Sequence, residues 1–166
     1  NSVPEVSGLI ITINSKVLLK GTKFVNNTNT LTSGTVYVVY YSTLTCEDCL
    51  FEGNSAYDKA GAVLVEKDSA VHFVKSVFTR NKSTYGSTLY LTQAQHSTFT
   101  ECTFKDNQAT SIATVFILGS PSITFTASKF LDNSTSQSAE VFMILSAVQF
   151  LGSTFEGKAG QTVNMV

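Results

Sequence analysis

Phe51-Glu52-Gly53-Asn54 is one copy of a Phe-x-x-Asn word that returns at 24–27, 78–81, 104–107 and 130–133 and ends as Phe155-Glu156-Gly157-Lys158. The phenylalanines stand 27, 27, 26, 26 and 25 residues apart. A fixed period in this range is the signature of a solenoid, whose units bury their apolar faces only against one another. Working outward from the word, fixed offsets hold fixed chemistry. Five residues before each phenylalanine stand Leu19, Cys46, Phe73, Phe99, Phe125 and Phe150. Seven before stand Val17, Leu44, Val71, Ser97, Ile123 and Val148, and two before stand Thr22, Cys49, Ser76, Cys102, Ser128 and Ser153. Large apolar, mostly apolar and small columns of this kind arise when each turn of a coil lies above the last at the strand spacing of about 4.8 Å.

A second strand slot precedes each word. It reads Ser7-Gly8-Leu9-Ile10-Ile11-Thr12-Ile13, Ser33-Gly34-Thr35-Val36-Tyr37-Val38-Val39 and Ala60-Gly61-Ala62-Val63-Leu64-Val65 in the first half of the chain. It then reads Tyr85-Gly86-Ser87-Thr88-Leu89-Tyr90-Leu91, Ala113-Thr114-Val115-Phe116-Ile117 and Ala139-Glu140-Val141-Phe142-Met143-Ile144, and more loosely Gly160-Gln161-Thr162-Val163-Asn164-Met165. The runs are short, β-branched and aromatic, bounded by Gly, Ser and Asn, and no segment keeps a helical period. The fold predicted is all-β: a single-stranded parallel β-helix of about six rungs, with 25–27 residues per rung. Right-handedness follows from the crossover rule for parallel strands. One domain spans 1–166, and Asn27, Asn54, Asn81, Asn107 and Asn133 form an asparagine ladder at one corner.

The Phe-x-x-Asn word followed by small residues, best in Asn54-Ser55-Ala56 and Ala60-Gly61-Ala62-Val63, resembles the repeats of chlamydial polymorphic outer membrane proteins. It is also similar to pectin-lyase-like repeats of large protist surface proteins. The resemblance implies a β-helix at a cell surface, with adhesion or a structural coat as its role.

Composition narrows the partners. Charged residues make up 14% of the chain, the net charge is −1 and Arg80 is the sole arginine, which argues against nucleic acid and leaves self-association open. No apolar run reaches the roughly 18–20 residues of a membrane span. Asn1 opens a polar stretch unlike a secretory signal, as in a processed start or a segment of a longer chain. Sequons at Asn26, Asn81 and Asn133 suit an extracellular or cell-surface glycoprotein, Asn26 best because it stands one residue off the ladder.

Cys46-Glu47-Asp48-Cys49 has metal-ligand spacing, but Cys102 is the one further cysteine, so a four-cysteine zinc site is excluded. The pair fills the apolar and small columns, either as thiols or as a local disulfide. Cys102 lies two rungs from Cys49, roughly 9–10 Å away and beyond bridging range, and should be free and buried. His72 and His96 occupy different columns and read as ordinary surface or corner residues. Asp48, Lys75 and Glu101 stack with alternating sign and read as a salt-bridge ladder, not as paired catalytic carboxylates. No cofactor, metal site or catalytic residue is expected.

Strand alternation places Tyr37, Leu64, Tyr90, Phe116 and Phe142 on the outer face, opposite an inward series of Val36, Val63, Leu89, Val115 and Val141. Such a stripe marks a partner surface, or is covered by other parts of the chain. Strands at Leu9, Ile11 and Ile13 and at Val163 and Met165 lie so near the two ends that the solenoid reads as uncapped. The reading is therefore a non-enzymatic extracellular structural protein that assembles by head-to-tail stacking and lateral apolar contact, or one segment of a longer solenoid. The alternative is an adhesin, and a carbohydrate-active enzyme stands third.

Overall fold

The computed structural model describes residues 10–30, 34–136, 139–157 and 163–165, and every regular element in them is a β-strand. The first turn of the coil holds β1 (Ile10–Ile13), β2 (Lys16–Lys20), β3 (Lys23–Val25) and β4 (Thr28–Asn29). The second holds β5 (Val36–Val39), β6 (Thr43–Glu47), β7 (Leu50–Glu52) and β8 (Ser55–Ala56). The third holds β9 (Val63–Val65), β10 (Ala70–Val74), β11 (Val77–Thr79) and β12 (Lys82–Tyr85). The fourth holds β13 (Leu89–Thr92), β14 (Ser97–Thr100), β15 (Thr103–Lys105) and β16 (Gln108–Ile112). The fifth holds β17 (Val115–Leu118), β18 (Ile123–Thr126), β19 (Lys129–Leu131) and β20 (Ser134–Thr135). A sixth begins with β21 (Val141–Ile144), β22 (Val148–Leu151) and β23 (Thr154–Glu156), and β24 (Val163–Met165) pairs on top of β21.

Like strands of successive turns pair in parallel and build four sheets. The first sheet runs β1-β5-β9-β13-β17-β21-β24, and the second follows it around each turn with β2-β6-β10-β14-β18-β22. The phenylalanine words lie on the third sheet, in register: Phe24 opposite Phe51, Phe51 opposite Phe78, Phe78 opposite Phe104. Their rings stack at centroid distances of 4.7, 5.0, 4.9, 4.7 and 4.6 Å from Phe24 to Phe155. Phe73, Phe99, Phe125 and Phe150 of the second sheet form a parallel column at 5.5, 4.7 and 5.2 Å. The two columns meet edge to face, as Phe73 meets Phe78 at 5.1 Å and 68°. Offset stacks and T-shaped contacts are the two favoured aromatic geometries, and the coil uses one along its axis and the other across it.

The word's two middle positions explain why it turns a corner. The residue after phenylalanine points outward, and the next is left-handed: Asn26, Gly53, Arg80, Asp106 and Asp132 have φ of 54, 63, 54, 53 and 50°. The asparagine that follows points inward and is buried at Asn54, Asn81, Asn107 and Asn133. Each amide is fully bonded. Asn81 Nδ2 donates to Phe51 O below at 3.0 Å and to Asn107 Oδ1 above at 3.0 Å. Its Oδ1 accepts both the backbone N–H and the side-chain N–H of Asn54, each at 3.0 Å. The small column serves a second corner in the same way, the N–H groups of Cys49 and Cys102 donating to Ser76 and Ser128 Oγ at 3.2 Å. Serines make a third such ladder between the first and second sheets, where Ser42 N–H donates to Ser69 Oγ at 3.1 Å.

One expectation changes, and one open alternative is decided. Asp48, Lys75 and Glu101 do not form a salt-bridge ladder: the ion pairs among the described residues are Lys20–Glu47, Arg80–Glu52 and Lys105–Asp106. The three occupy a left-handed corner position, with φ of 53, 50 and 53°, which turns their side chains out into water. Cys46 and Cys49 are free thiols and not a disulfide. Both are buried, with Cys46 in the core column and Cys49 Sγ directed at the Leu19 and Glu47 carbonyls. Cys102 is also free and buried, with its thiol pushed up to about 12 by burial. Of the stacking-end residues, Leu9 lies outside the described residues, Ile11 and Ile13 lie on β1 and Val163 and Met165 on β24. These are the two edge strands of the first sheet.

Two stability outcomes follow. Asn107→Ala strands two Asn81 donors and the acceptor Phe78 O, so chemical denaturation should show a loss of about 3 kcal/mol or more. Lys75→Gly relieves the left-handed strain of about 1–2 kcal/mol, partly offset by glycine's unfolded-state entropy. It should raise stability by up to about 1 kcal/mol, whereas a salt-bridge ladder would require a loss.

Candidate functional site

The outer face of the first sheet groups aromatic and charged side chains outside the core. Along β5, Val36 and Val38 enter the central core, while Tyr37 and Val39 join a separate outer cluster with Ala60 and Leu64. Alternation along the strand therefore places the stripe outside, as expected. The stripe is nonetheless covered, with Tyr37, Leu64 and Phe116 only 8, 3 and 7% exposed, and Tyr90 and Phe142 half-buried. Its rings cover one another, Tyr90 on Phe116 at 4.6 Å and Phe116 on Phe142 at 5.7 Å. The chain's own corner does the rest. Ala60 is buried against the stripe, Lys59 Nζ lies 5.0 Å from the Tyr90 ring, and the Gly86 Cα hydrogen side approaches the Phe116 Cβ. Sequence alternation gave the face but not this cover, because a short corner segment carries no periodic signal. Little of the stripe is left for a second molecule.

What is exposed lies at its margins. All six tyrosines of the chain fall between 37 and 90, in the second to fourth turns. Tyr37 and Tyr90 lie on the sheet, with Tyr57 at the corner before it, Tyr85 at the end of β12 leading into that corner, and Tyr40 and Tyr41 at the corner after it. Tyr40, Tyr41 and Tyr57 are 45, 71 and 76% exposed. Charged groups sit between the rings. Tyr37 Oη donates to Glu66 Oε2 at 2.7 Å, and burial together with that carboxylate holds the Tyr37 phenol above its usual range. Burial, with Glu66, Asp58 and Tyr85 nearby, raises Tyr90. Lys67 Nζ lies over the Tyr40 ring at 4.9 Å and 3.3 Å from its hydroxyl, and Gln95 Nε2 donates to Asp68 Oδ1 at 2.6 Å. Such a face can stack flat apolar surfaces and hydrogen-bond polar rims at once.

The remaining candidate residues are distributed. In the folded chain Asn81 and Asn133 cannot offer their amides to a glycan, because both are buried and bonded in the ladder. Asn26 is exposed at its left-handed corner and keeps its sequon free. His72 and His96 do not stand apart: they are diagonal neighbours with ring centroids 6.3 Å apart. Column-by-column reading considers direct stacking alone and so passed over the diagonal. Glu140 was also missed. It shares a column with Thr88 and Thr114, since Leu89, Val115 and Val141 are in register. Its carboxyl, with Oε2 buried and unpartnered, is pushed up to about 7 by burial, against a hydrogen bond from Asn133, the ladder's last amide.

The architecture defines a class: a parallel β-solenoid with a phenylalanine-packed interior. A family model described as a right handed beta helix region matches residues 7–164. The chain belongs to that right-handed β-helix family, and the pectin-lyase-like repeat reading agrees with it. No curated protein matches the sequence. Among the described residues no helix is long and apolar enough to cross a membrane.

Glu140 yields a signed prediction. A carboxyl whose folded value is raised holds its proton more tightly folded than unfolded, so its contribution is present at low pH. That contribution is lost as pH climbs from the ordinary carboxylate range through about 7. Glu140→Gln keeps the acceptor for Asn133 and removes the ionisation. Its melting temperature should exceed that of the parent near pH 8 and match it near pH 4, by roughly paired measurements at the two values. An equal difference at both would show that Glu140 does not titrate between them.

Proposed function

We propose that this chain is a non-enzymatic extracellular β-helix that works by adhesion, its tyrosine-rich face binding glycan on another surface. The observation that carries the reading is the confinement of all six tyrosines to the second, third and fourth turns, on and beside one sheet face. The structural-coat reading rests on head-to-tail stacking together with a broad lateral apolar contact, and the burial of Tyr37, Leu64 and Phe116 takes away the centre of the lateral one. A protein partner would want such an apolar centre. A glycan instead uses separate exposed rings with hydrogen-bonding groups between them, which is what Tyr40, Tyr41, Tyr57, Asp58, Glu66 and Asp68 offer. A surface location is further supported by the free sequon at Asn26 and by the resemblance of the repeat word to those of surface proteins. Glu140, the raised carboxyl, is already engaged as acceptor for the asparagine ladder, which favours a binding role over hydrolysis.

Purified protein applied to immobilised glycans and to cells tests this. Binding that falls about tenfold in Tyr41→Ala and Tyr57→Ala, with unchanged melting, is the expected result, since exposed side chains contribute little to the fold. Ordered polymers without glycan binding would put the coat in its place, and shortened polysaccharide chains would make the protein an enzyme.

A further inference from the structure

The chain holds two histidines, His72 and His96, and the coil brings them together on the outer face of the second sheet. His72 lies on β10, opposite Thr98 of β14, and His96 stands just before β14, two residues from Thr98 on the same face. The ring centroids are 6.3 Å apart and the planes are tilted by 49°. Each ring is held through Nδ1, His72 to Thr98 Oγ1 at 3.0 Å and His96 to Ser122 Oγ at 2.9 Å. A hydroxyl can accept from Nδ1–H, which leaves the Nε2 lone pair of each imidazole for another partner. Oriented rings with one nitrogen tied by an outer hydrogen bond are the usual arrangement at histidine metal centres.

We propose that His72 and His96 form a two-imidazole chelate for a late first-row divalent transition cation, with Cu(II) bound most tightly. Two rings sharing one ion through metal–nitrogen bonds of about 2.0–2.1 Å have centres roughly 5–6 Å apart. The observed spacing needs a closure of about 1 Å at most. His96 is exposed, so rotation of its side chain can provide that movement, while half-buried His72 stays fixed on its strand. The strands are adjacent in a continuous parallel sheet, so backbone ordering adds little to the cost of binding. Among the described residues no group of three or more His, Cys, Asp or Glu gathers. Water therefore completes the coordination, and the bidentate imidazole set follows the general affinity order in which Cu(II) exceeds Ni(II) and Zn(II). The site lies on the second sheet, beyond the corner that holds Gln95 and Asp68, and its test does not depend on glycan binding.

The experiment uses the untagged chain, with Cu(II), Ni(II) and Zn(II) each titrated by calorimetry and the Cu(II) form examined by electron paramagnetic resonance. One equivalent of Cu(II) with two coupled imidazole nitrogens is expected, bound more tightly than Ni(II) or Zn(II). His72→Gln and His96→Gln should each lower Cu(II) affinity by more than about tenfold, and Thr98→Val by about tenfold through the loosened His72 ring. Melting curves of the three variants check that the coil is intact. Loss in only one histidine variant, unchanged affinity in both, or a spectrum with a single coupled nitrogen would each overturn the chelate.

Discussion

Everything in this coil depends on exact vertical registry, and the asparagine amide is the group that enforces it. A buried amide presents two donors and an acceptor oxygen, and each must find a partner. Within the ladder those partners lie one turn below and one turn above, at Phe51 O and Asn107 Oδ1 for Asn81. A turn displaced by a single residue would leave these groups unbonded at the corner and reverse every side chain of the strand that follows. The phenylalanine stacks supply most of the burial but tolerate sliding, since dispersion is not directional. The ladder is directional, and so it selects the register in which the rings stack.

This division explains what could be read from the sequence. The word Phe-x-x-Asn, the small column and the inward valines were legible because each repeats a chemical requirement that every turn must meet. Their roles were less evident than their positions. Ser76 and Ser128 read as merely small, although their hydroxyls accept the N–H groups of Cys49 and Cys102. The column of Asp48, Lys75 and Glu101 read as electrostatic because its charges alternate, yet what its members share is a left-handed backbone. Gly21 and Gly152, at the same corner of the first and sixth turns with φ of 55 and 62°, carry that signal and no charge. The tyrosine stripe was placed on the correct face, but its cover depends on Lys59, Ala60 and Gly86, in a corner whose left-handed backbone returns at Ala60, Gly86 and Ala113 while its residue types change.

The candidate sites belong to this non-repeating part. A solenoid uses its interior for stability and leaves its outer faces and corners to vary. The tyrosines are grouped in three turns, and the two histidines meet across a single pair of turns. Neither grouping recurs along the coil, so the architecture does not require it. Glu140 is an intermediate case: it replaces a threonine of its column and at the same time satisfies Asn133 where the ladder ends.

Variation in period leads to the same corners. An added residue inverts strand alternation unless a bulge takes it up, as between Ser83 and Tyr85 of β12 against β16, so the remaining differences between 25 and 27 residues fall at the bends. Between the first and second sheets, Thr12 pairs with Val38 while Val17 pairs with Leu44, so the bend gains one residue from the first turn to the second, and the third to fifth turns keep the longer form. Tyr40 and Tyr41, both left-handed, occupy that longer bend. Before the first sheet, Ser55 pairs with Lys82 while Val63 pairs with Leu89, so the second turn, like the first, carries one residue more than the third, in the bend that holds Tyr57. The exposed tyrosines thus stand where the coil has room for residues the core does not need. A bend that varies without disturbing registry can present a side chain to solvent at little cost to the fold, and the bends that hold Tyr40, Tyr41 and Tyr57 flank the same face of the same sheet.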